Sequence, residues 1–494
     1  MPSQSVLVIG GGLAGLSSAV ALAEAGFRVR LFEKRPHLGG RATSYTLPDG
    51  SEVDNCQHVT LGCCTNLSDF YRRVGASEKI RFYDRLYFVD KKGRRSAIEA
   101  SALIPPPLHM APSFLFFSAL TMADKAAIAR AMMAIARSGG RPPGLDSLSM
   151  WDWLRRVGQT PAAIERFWRV VLVSALDEEL SKTSAQYGVD VFWKAFLGSR
   201  GGYRVGIPTV PLAELYEGCK VAIEQKGGEV RQRAGVREIC VENNSFRGVA
   251  MEDGSRISAD ACVAAVPHDK LLEMAPQACT GAGSALMRVH ELKTSPITGV
   301  HFWFDRKVMD EPFLTLLDHT TQWIFNKSFL SAAAPDFETK TNGARPIQEQ
   351  GIQPRTEGQH LQLVISASYD LVPRSRQEII ELCRCELGEV LPATREAKLE
   401  KATVIKEVSA TFSPEPGVDA LRPPQDIGVN GFALAGDWTQ TGWPATMEGA
   451  VRSGYLAAES LLRSMGQPRK FLQPDLPFEG LSKFWAARMK ASNP

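Results

Sequence analysis

The chain opens on an apolar run, Ser5-Val-Leu-Val-Ile9, breaks at Gly10-Gly-Gly12-Leu-Ala-Gly15, and resumes as an alanine- and leucine-rich stretch to Ala25. A short β-branched run, a glycine break and a longer run of helix formers predict strand, turn and helix. A second apolar run, Val29-Arg-Leu-Phe, ends on Glu33. Val6 to Gly26 holds one charge, Glu24, yet no Lys or Arg precedes it and it starts through three adjacent glycines, so neither a signal peptide nor a spanning helix is expected.

Further along, Gly228-Glu-Val-Arg and Gly235-Val236-Arg-Glu-Ile predict strands, with a hairpin at Phe246 to Met251 and an apolar strand in Ala259 to Val266. Gly431-Phe-Ala-Leu-Ala-Gly436-Asp437 predicts a strand ending in Gly-Asp, and the chain past Met447 turns helical. Between these pieces, Ala123 to Arg137 has helical spacing, Trp151 and Trp168 open further helices, and Thr298-Gly-Val-His-Phe-Trp-Phe304 alternates as a strand does. Gln322 to Lys327 and Leu361 to Ser366 are shorter strands, and the polar, Gly- and Pro-bearing composition from Pro335 to Gly358 predicts a mobile excursion.

Gly10, Gly12 and Gly15 form G-x-G-x-x-G between strand and helix. The first glycine permits the tight turn, the second admits a pyrophosphate against the backbone, and the third lets helix and strand pack closely. The helix start at Leu13 and Ala14 then presents free N–H groups and partial positive charge to phosphate. Glu33, 23 residues after Gly10 and followed by Lys34, stands where an acid accepts hydrogen bonds from ribose hydroxyls, which favours FAD or NAD over NADP.

Composition narrows the field only modestly. With 494 residues, 44% hydrophobic and 22% charged, the chain suits a folded protein of two or three domains. A net charge of +3 gives no argument for nucleic acid, and nine scattered cysteines without a C-x-x-C pair argue against a disulfide framework or structural zinc and for a reducing, cytoplasmic setting. Ala100 to Ala123 carries no Lys, Arg, Asp or Glu over 24 residues and holds Pro105-Pro-Pro107, so its Met110 and Phe114-Leu-Phe-Phe117 suit a bilayer-dipping surface, a lipid tunnel wall, or plain core. The tail places Leu481, Phe484, Trp485 and Met489 on one helical face beside Lys483, Arg488 and Lys490, as an interfacial anchor or a docked terminal helix would.

After Glu33 come Gly39-Gly40-Arg41, Gly50, Asp54 and Asn55-Cys-Gln-His58, and here the chain resembles the flavin amine oxidase and phytoene desaturase superfamily. Cys56 stands where that superfamily usually has glycine, so a positive φ there would strain the backbone. The resemblance implies FAD, with Gly39, Gly40 and Arg41 along the pyrophosphate and flavin, and Asp54 close to the ring. It further implies Val236 against the adenine, Gly436-Asp437 on the ribityl chain, and the helix start at Met447 and Ala450 at the flavin edge. The expected fold class is α/β, a Rossmann-type FAD-binding domain (1–95, 205–290 and 425–470) with a discontinuous α+β substrate-binding domain (96–204 and 291–424) and a tail, 471–494.

Asp54 to His58 with Leu61-Gly-Cys63, Leu176 to Ala185, Pro208 to Tyr216, Val300 to Arg306, Trp323 to Lys327 and Pro444 to Gly449 also resemble the hydroxysqualene dehydroxylase family. That resemblance implies reductive dehydroxylation of hydroxysqualene to squalene, hydride passing from N5 of reduced FAD to an allylic carbon, with an external electron donor the sequence does not name. His58 is the candidate to protonate the departing hydroxyl, because imidazole titrates near neutral pH. The alternatives are a carotenoid (phytoene-type) desaturase or isomerase, an amine oxidase, and a lipid-carrying or scaffolding flavoprotein without turnover. An isoprenoid lipid substrate goes with the dehydroxylase and the desaturase readings, and peripheral membrane contact is expected from the two apolar surfaces.

Overall fold

The computed structural model describes residues 4–142, 144–145, 147–276, 279, 283–331 and 358–492. Five parallel strands make its first sheet, in the order Glu229–Arg231, Arg28–Phe32, Ser5–Ile9, Ala261–Ala264 and Phe432–Leu434. Val6, Leu7, Val8 and Val263 have no exposure at all, as expected for parallel strands covered on both faces. On one side the helices Leu13–Glu24 and Met447–Ser464 cross closely; a Cβ on Gly454 would lie 2.1 Å from Ser17 Oγ. On the other, Phe246 and Val249 of the small antiparallel sheet share a core with Leu7 and Ile9.

A seven-stranded sheet forms the second layer, in the order Leu399–Phe412, Thr294–Phe304, Gln359–Ile365, Trp323–Asn326, Phe313–Leu316, Arg85–Val89 and Arg95–Glu99. Of these, Arg85–Val89 comes from residues grouped by sequence with the N-terminal unit. The chain crosses to the second sheet at Arg85 because that strand pairs in parallel with Phe313–Leu316, a partner more than 200 positions away that local pattern does not reveal. Over this sheet lie the helices Met122–Arg137, Met150–Arg156, Val170–Leu176 and Ala185–Val191, with π-helical turns at Ile164–Arg169 and Phe192–Leu197. Trp168 and Phe192, 4.5 Å apart between ring centroids, sit at the centre of this helical layer.

The apolar residues of the charge-free segment are divided between inside and outside. Phe117 is buried and Phe114 packs against the core, while Leu115 and Phe116 turn outward. The tail helix, Gly480–Ser492, divides its apolar residues as well: Trp485 packs inward, whereas Leu481 and Phe484 are exposed, and Leu481 N donates to Pro106 O. The single apolar face expected there is split because the helix docks through Trp485 and Ser482, whose hydroxyl donates to Leu197 O. Residues 335–357 of the expected polar excursion lie outside the described residues. Among the described residues no helix is long and apolar enough to cross a membrane.

Candidate active site

The three glycines behave differently at close range. Gly10 has φ +103°, and a Cβ there would lie 2.4 Å from Ala265 O. At Gly15 a Cβ would lie 1.9 Å from Gly10 O, an overlap between backbone atoms that no rotamer relieves. Gly12 faces open space instead: its Cβ would meet only Gly40 Cα, at 3.8 Å. Strand and helix thus require two of the glycines, while the third lines a cradle, and the helix it opens has no side-chain cap on its N–H groups. A pyrophosphate suits that cradle, the helix start supplying donors and positive potential.

Other elements converge on the same place. Glu33 is buried at the end of its strand, accepting from Gly11 N at 2.6 Å and Arg35 N at 2.7 Å. Ala234 N donates to Glu33 O, which draws the strand start at Val236 alongside. Lys34 points outward to pair with Glu252 on the surface. Gly39 N donates to Gly11 O, and Gly40 stacks its backbone over Gly12. Arg41 and Asp437, each expected against the cofactor, are each other's partners: Nη2 donates to both carboxylate oxygens, at 2.9 and 2.8 Å. Burial disfavours the Arg41 charge, but Asp437 beside it outweighs burial and raises its pKa. Gly436 N donates to Ser453 Oγ, tying the Gly-Asp turn to the last helix, which Thr446 caps at Gly449 N and Ala450 N.

Asp54 and His58 each have partners within the protein. The Asp54 carboxylate accepts from Ser44 Oγ at 2.8 Å, Leu212 N at 3.0 Å and Lys327 Nζ at 2.7 Å. Burial pushes it up, but the Lys327 ammonium and these donors hold it below the ordinary range. His58 is a poor acid. Burial lowers its pKa, and Nδ1 lies 2.9 Å from Cys56 O, so the neutral ring donates there and leaves Nε2 as an acceptor. Cys56 itself has no positive φ, so no strain arises, and its sulfur packs toward Gly299.

Two adjoining cavities open beside these residues. One, about 220 Å³, runs past Gln57, Cys63, Trp323, Trp443 and Thr446 to Glu448. The other, about 190 Å³ and almost wholly apolar, lies between Leu108, Met110, Phe114, Met133 and Phe167. Leu86, Phe88, Val171 and Phe196 line both. Sequence reasoning missed Lys327, which needs a contact 273 positions away, and Glu448, buried and accepting from Asn66 N and Leu67 N so that it holds two helix starts together. It also missed Asp190 on the cavity wall.

A parallel-sheet dinucleotide fold with a phosphate cradle, an acid at the ribose position and an apolar cavity at the far end defines an FAD-dependent oxidoreductase. The comparisons agree. The chain belongs to the flavin containing amine oxidoreductase family, which it matches over residues 13–462. It is 28% identical over 479 residues to a 15-cis-phytoene desaturase, chloroplastic/chromoplastic, of Solanum lycopersicum, covering 93% of this chain and 77% of that protein. It is 25% identical over 479 residues to a zeta-carotene desaturase of Synechocystis sp., covering 94% and 98%. Its fold matches an oxidoreductase from Methanosarcina mazei with a TM-score of 0.69 at 18% identity, covering 93% of this chain and all (100%) of that one. A putrescine oxidase variant matches with a TM-score of 0.69 at 16% identity, covering 93% and 99%.

Proposed function

We propose that this enzyme oxidises a long isoprenoid hydrocarbon at an allylic position, as a carotenoid-type desaturase. The observation that carries the reading is the pair of adjoining apolar cavities between the charge-free segment and Thr446 to Glu448. When bound, FAD supplies two-electron hydride chemistry at its isoalloxazine ring. Gly12, Leu13, Ala14, Gly40 and Glu33 hold its pyrophosphate and ribose, and Val236 borders the adenine. The last helix start, at Met447 and Ala450, puts positive potential beside the ring. Apolar side chains such as Phe88, Val171 and Phe196 orient the chain and exclude water from the reacting carbon. The relatives named as desaturases support the oxidative direction.

A second reading, reductive dehydroxylation of hydroxysqualene to squalene, is favoured by one observation: Asp190, a carboxyl group with an oxygen that no described residue bonds, stands on the wall of a largely apolar passage. A hydrocarbon substrate offers such a group no hydrogen bond. Anaerobic mixing separates the directions. Oxidised holoenzyme with phytoene is expected to lose its yellow colour as a more conjugated polyene forms. If dithionite-reduced enzyme instead regains colour while converting hydroxysqualene to squalene, the second reading replaces the first. No flavin response to either lipid would overturn both.

The same reading includes attachment to a lipid surface. Leu103 is 93% exposed, Phe116 86%, Met122 66% and Phe484 62%, an unusual display for large apolar side chains. They stand around the segment whose Leu108, Met110 and Phe114 line the outer cavity, with Arg130, Arg137 and Lys483 exposed nearby. Anionic vesicles are therefore expected to float the protein. Leu103→Asp with Phe116→Asp should weaken that binding by about tenfold or more, each change removing roughly 1.5–3 kcal/mol of apolar burial. Equal flotation of this variant would refute the assignment of the face.

A further inference from the structure

Asp190 ends the helix Ala185–Val191, where the chain passes into the π-helical turn Phe192–Leu197. Lys194 lies four residues on, the spacing at which an acid and a base usually pair on a helix. The π turn displaces it. Its ammonium sits 4.7 Å from the Trp443 ring centroid and 3.3 Å from Gly442 O, and closes no ion pair with Asp190. Asp190 Oδ1 accepts from the Gln186 amide at 3.1 Å, and among the described residues nothing donates to Oδ2. The side chain is half-buried and lines the inner cavity with Trp443, Thr446 and Met447. π-helical turns recur at functional sites because they redirect a side chain in this way.

Burial raises the Asp190 pKa, against the pull of Lys194, the Gln186 hydrogen bond and Arg141, while Asp419 pushes in the same direction as burial. Those are the charged and polar groups that bear on it, from its own helix and from the segments around Arg141 and Asp419. In its protonated form a carboxyl placed here is a hydrogen-bond donor with no acceptor among the described residues.

We propose that Asp190 is the proton donor to a hydroxyl carried by the substrate in the inner cavity, an inference that rests on the dehydroxylation reading above. In that step the allylic carbon–oxygen bond would break, and bound reduced FAD would supply the hydride that replaces it. The Asp190 proton goes to the departing oxygen, water leaves, and the carboxylate recovers a proton from solvent. His58, held neutral with its N–H toward Cys56 O, is thereby relieved of the role.

The test uses the holoenzyme in two measurements. In turnover with dithionite-reduced enzyme and hydroxysqualene, Asp190→Asn keeps the Gln186 contact and is expected to lower kcat by about 100-fold. KM should change little, and the alkaline limb of the wild-type kcat profile should disappear. A variant that keeps both rate and limb overturns the assignment. In binding to oxidised enzyme, followed by the flavin spectrum, the wild type should prefer hydroxysqualene to squalene by about tenfold, and Asp190→Leu should erase the preference. If the wild type binds the two lipids equally, the proposal fails whatever the turnover result. If the Asp190-dependent preference stands but no squalene forms, dehydroxylation fails: Asp190 then remains the hydroxyl-binding group, and its role as proton donor falls.

Discussion

Replacing Lys327 by Met is expected to destabilise the protein by about 3–5 kcal/mol. Lys327 Nζ bonds Asp54 Oδ2 at 2.7 Å and Gln57 Oε1 at 3.0 Å, with both ends of the ion pair almost wholly withdrawn from solvent. Without the ammonium, Asp54 is a buried charge facing only Ser44 Oγ and Leu212 N. The double variant Asp54→Asn with Lys327→Met should recover most of the loss, because the penalty lies in the orphaned charge rather than in the missing attraction. The pH dependence has a definite sign. In the wild type the Asp54 pKa is depressed, so its contribution is complete above the unfolded-state value and disappears as pH falls through the folded-state value. In the single variant burial acts without Lys327, the folded-state pKa rises, and the deficit shrinks in acid as Asp54 takes up a proton. Urea unfolding across pH 4–8 reads both; a gap between wild type and variant that widens in acid would contradict the account.

The second large effect separates two glycines that a motif treats alike. Gly15→Ala sets a methyl 1.9 Å from Gly10 O, so strand and helix must part, and both folding and FAD retention should fail. The Cβ of a Gly12→Val side chain meets nothing of the protein within contact distance except Gly40 Cα at 3.8 Å. The variant's apoprotein should unfold within about 1 kcal/mol of wild type, the ordinary scale for a helix N-cap change. If the open cradle holds the FAD pyrophosphate, the same variant loses FAD affinity by about 100-fold, an overpacking cost of about 2–3 kcal/mol. Flavin titration of the apoprotein and its urea midpoint make the comparison. A Gly12→Val protein that binds FAD normally would remove the pyrophosphate from that spot.

Several parts of this arrangement were legible along the chain because their causes are local. Strand, glycine turn, helix and acid at Glu33 lie within some thirty residues, and each step reflects backbone freedom or side-chain period. The Gly-Asp turn at Gly436 and the helix start at Met447 carry similarly local signals. The charge-free segment was visible too, though its pattern left tunnel wall and lipid surface both open. In the structure Phe114 and Phe117 line the outer cavity, and Leu115 and Phe116 are exposed. By contrast, Arg41 and Asp437 were each aimed at the cofactor, and only the fold shows them bound to one another.

From its sequence alone this chain is an FAD-binding oxidoreductase, since the phosphate cradle is made of neighbouring residues whose conformational demands local chemistry dictates. What tertiary structure decided is the set of polar contacts around the cavities: Lys327 against Asp54, Glu448 across two helix starts, and Asp190 without an ion pair to Lys194. Those placements depend on charges and cavities assembled from elements far apart in the chain. Burial, not position in sequence, sets their chemistry.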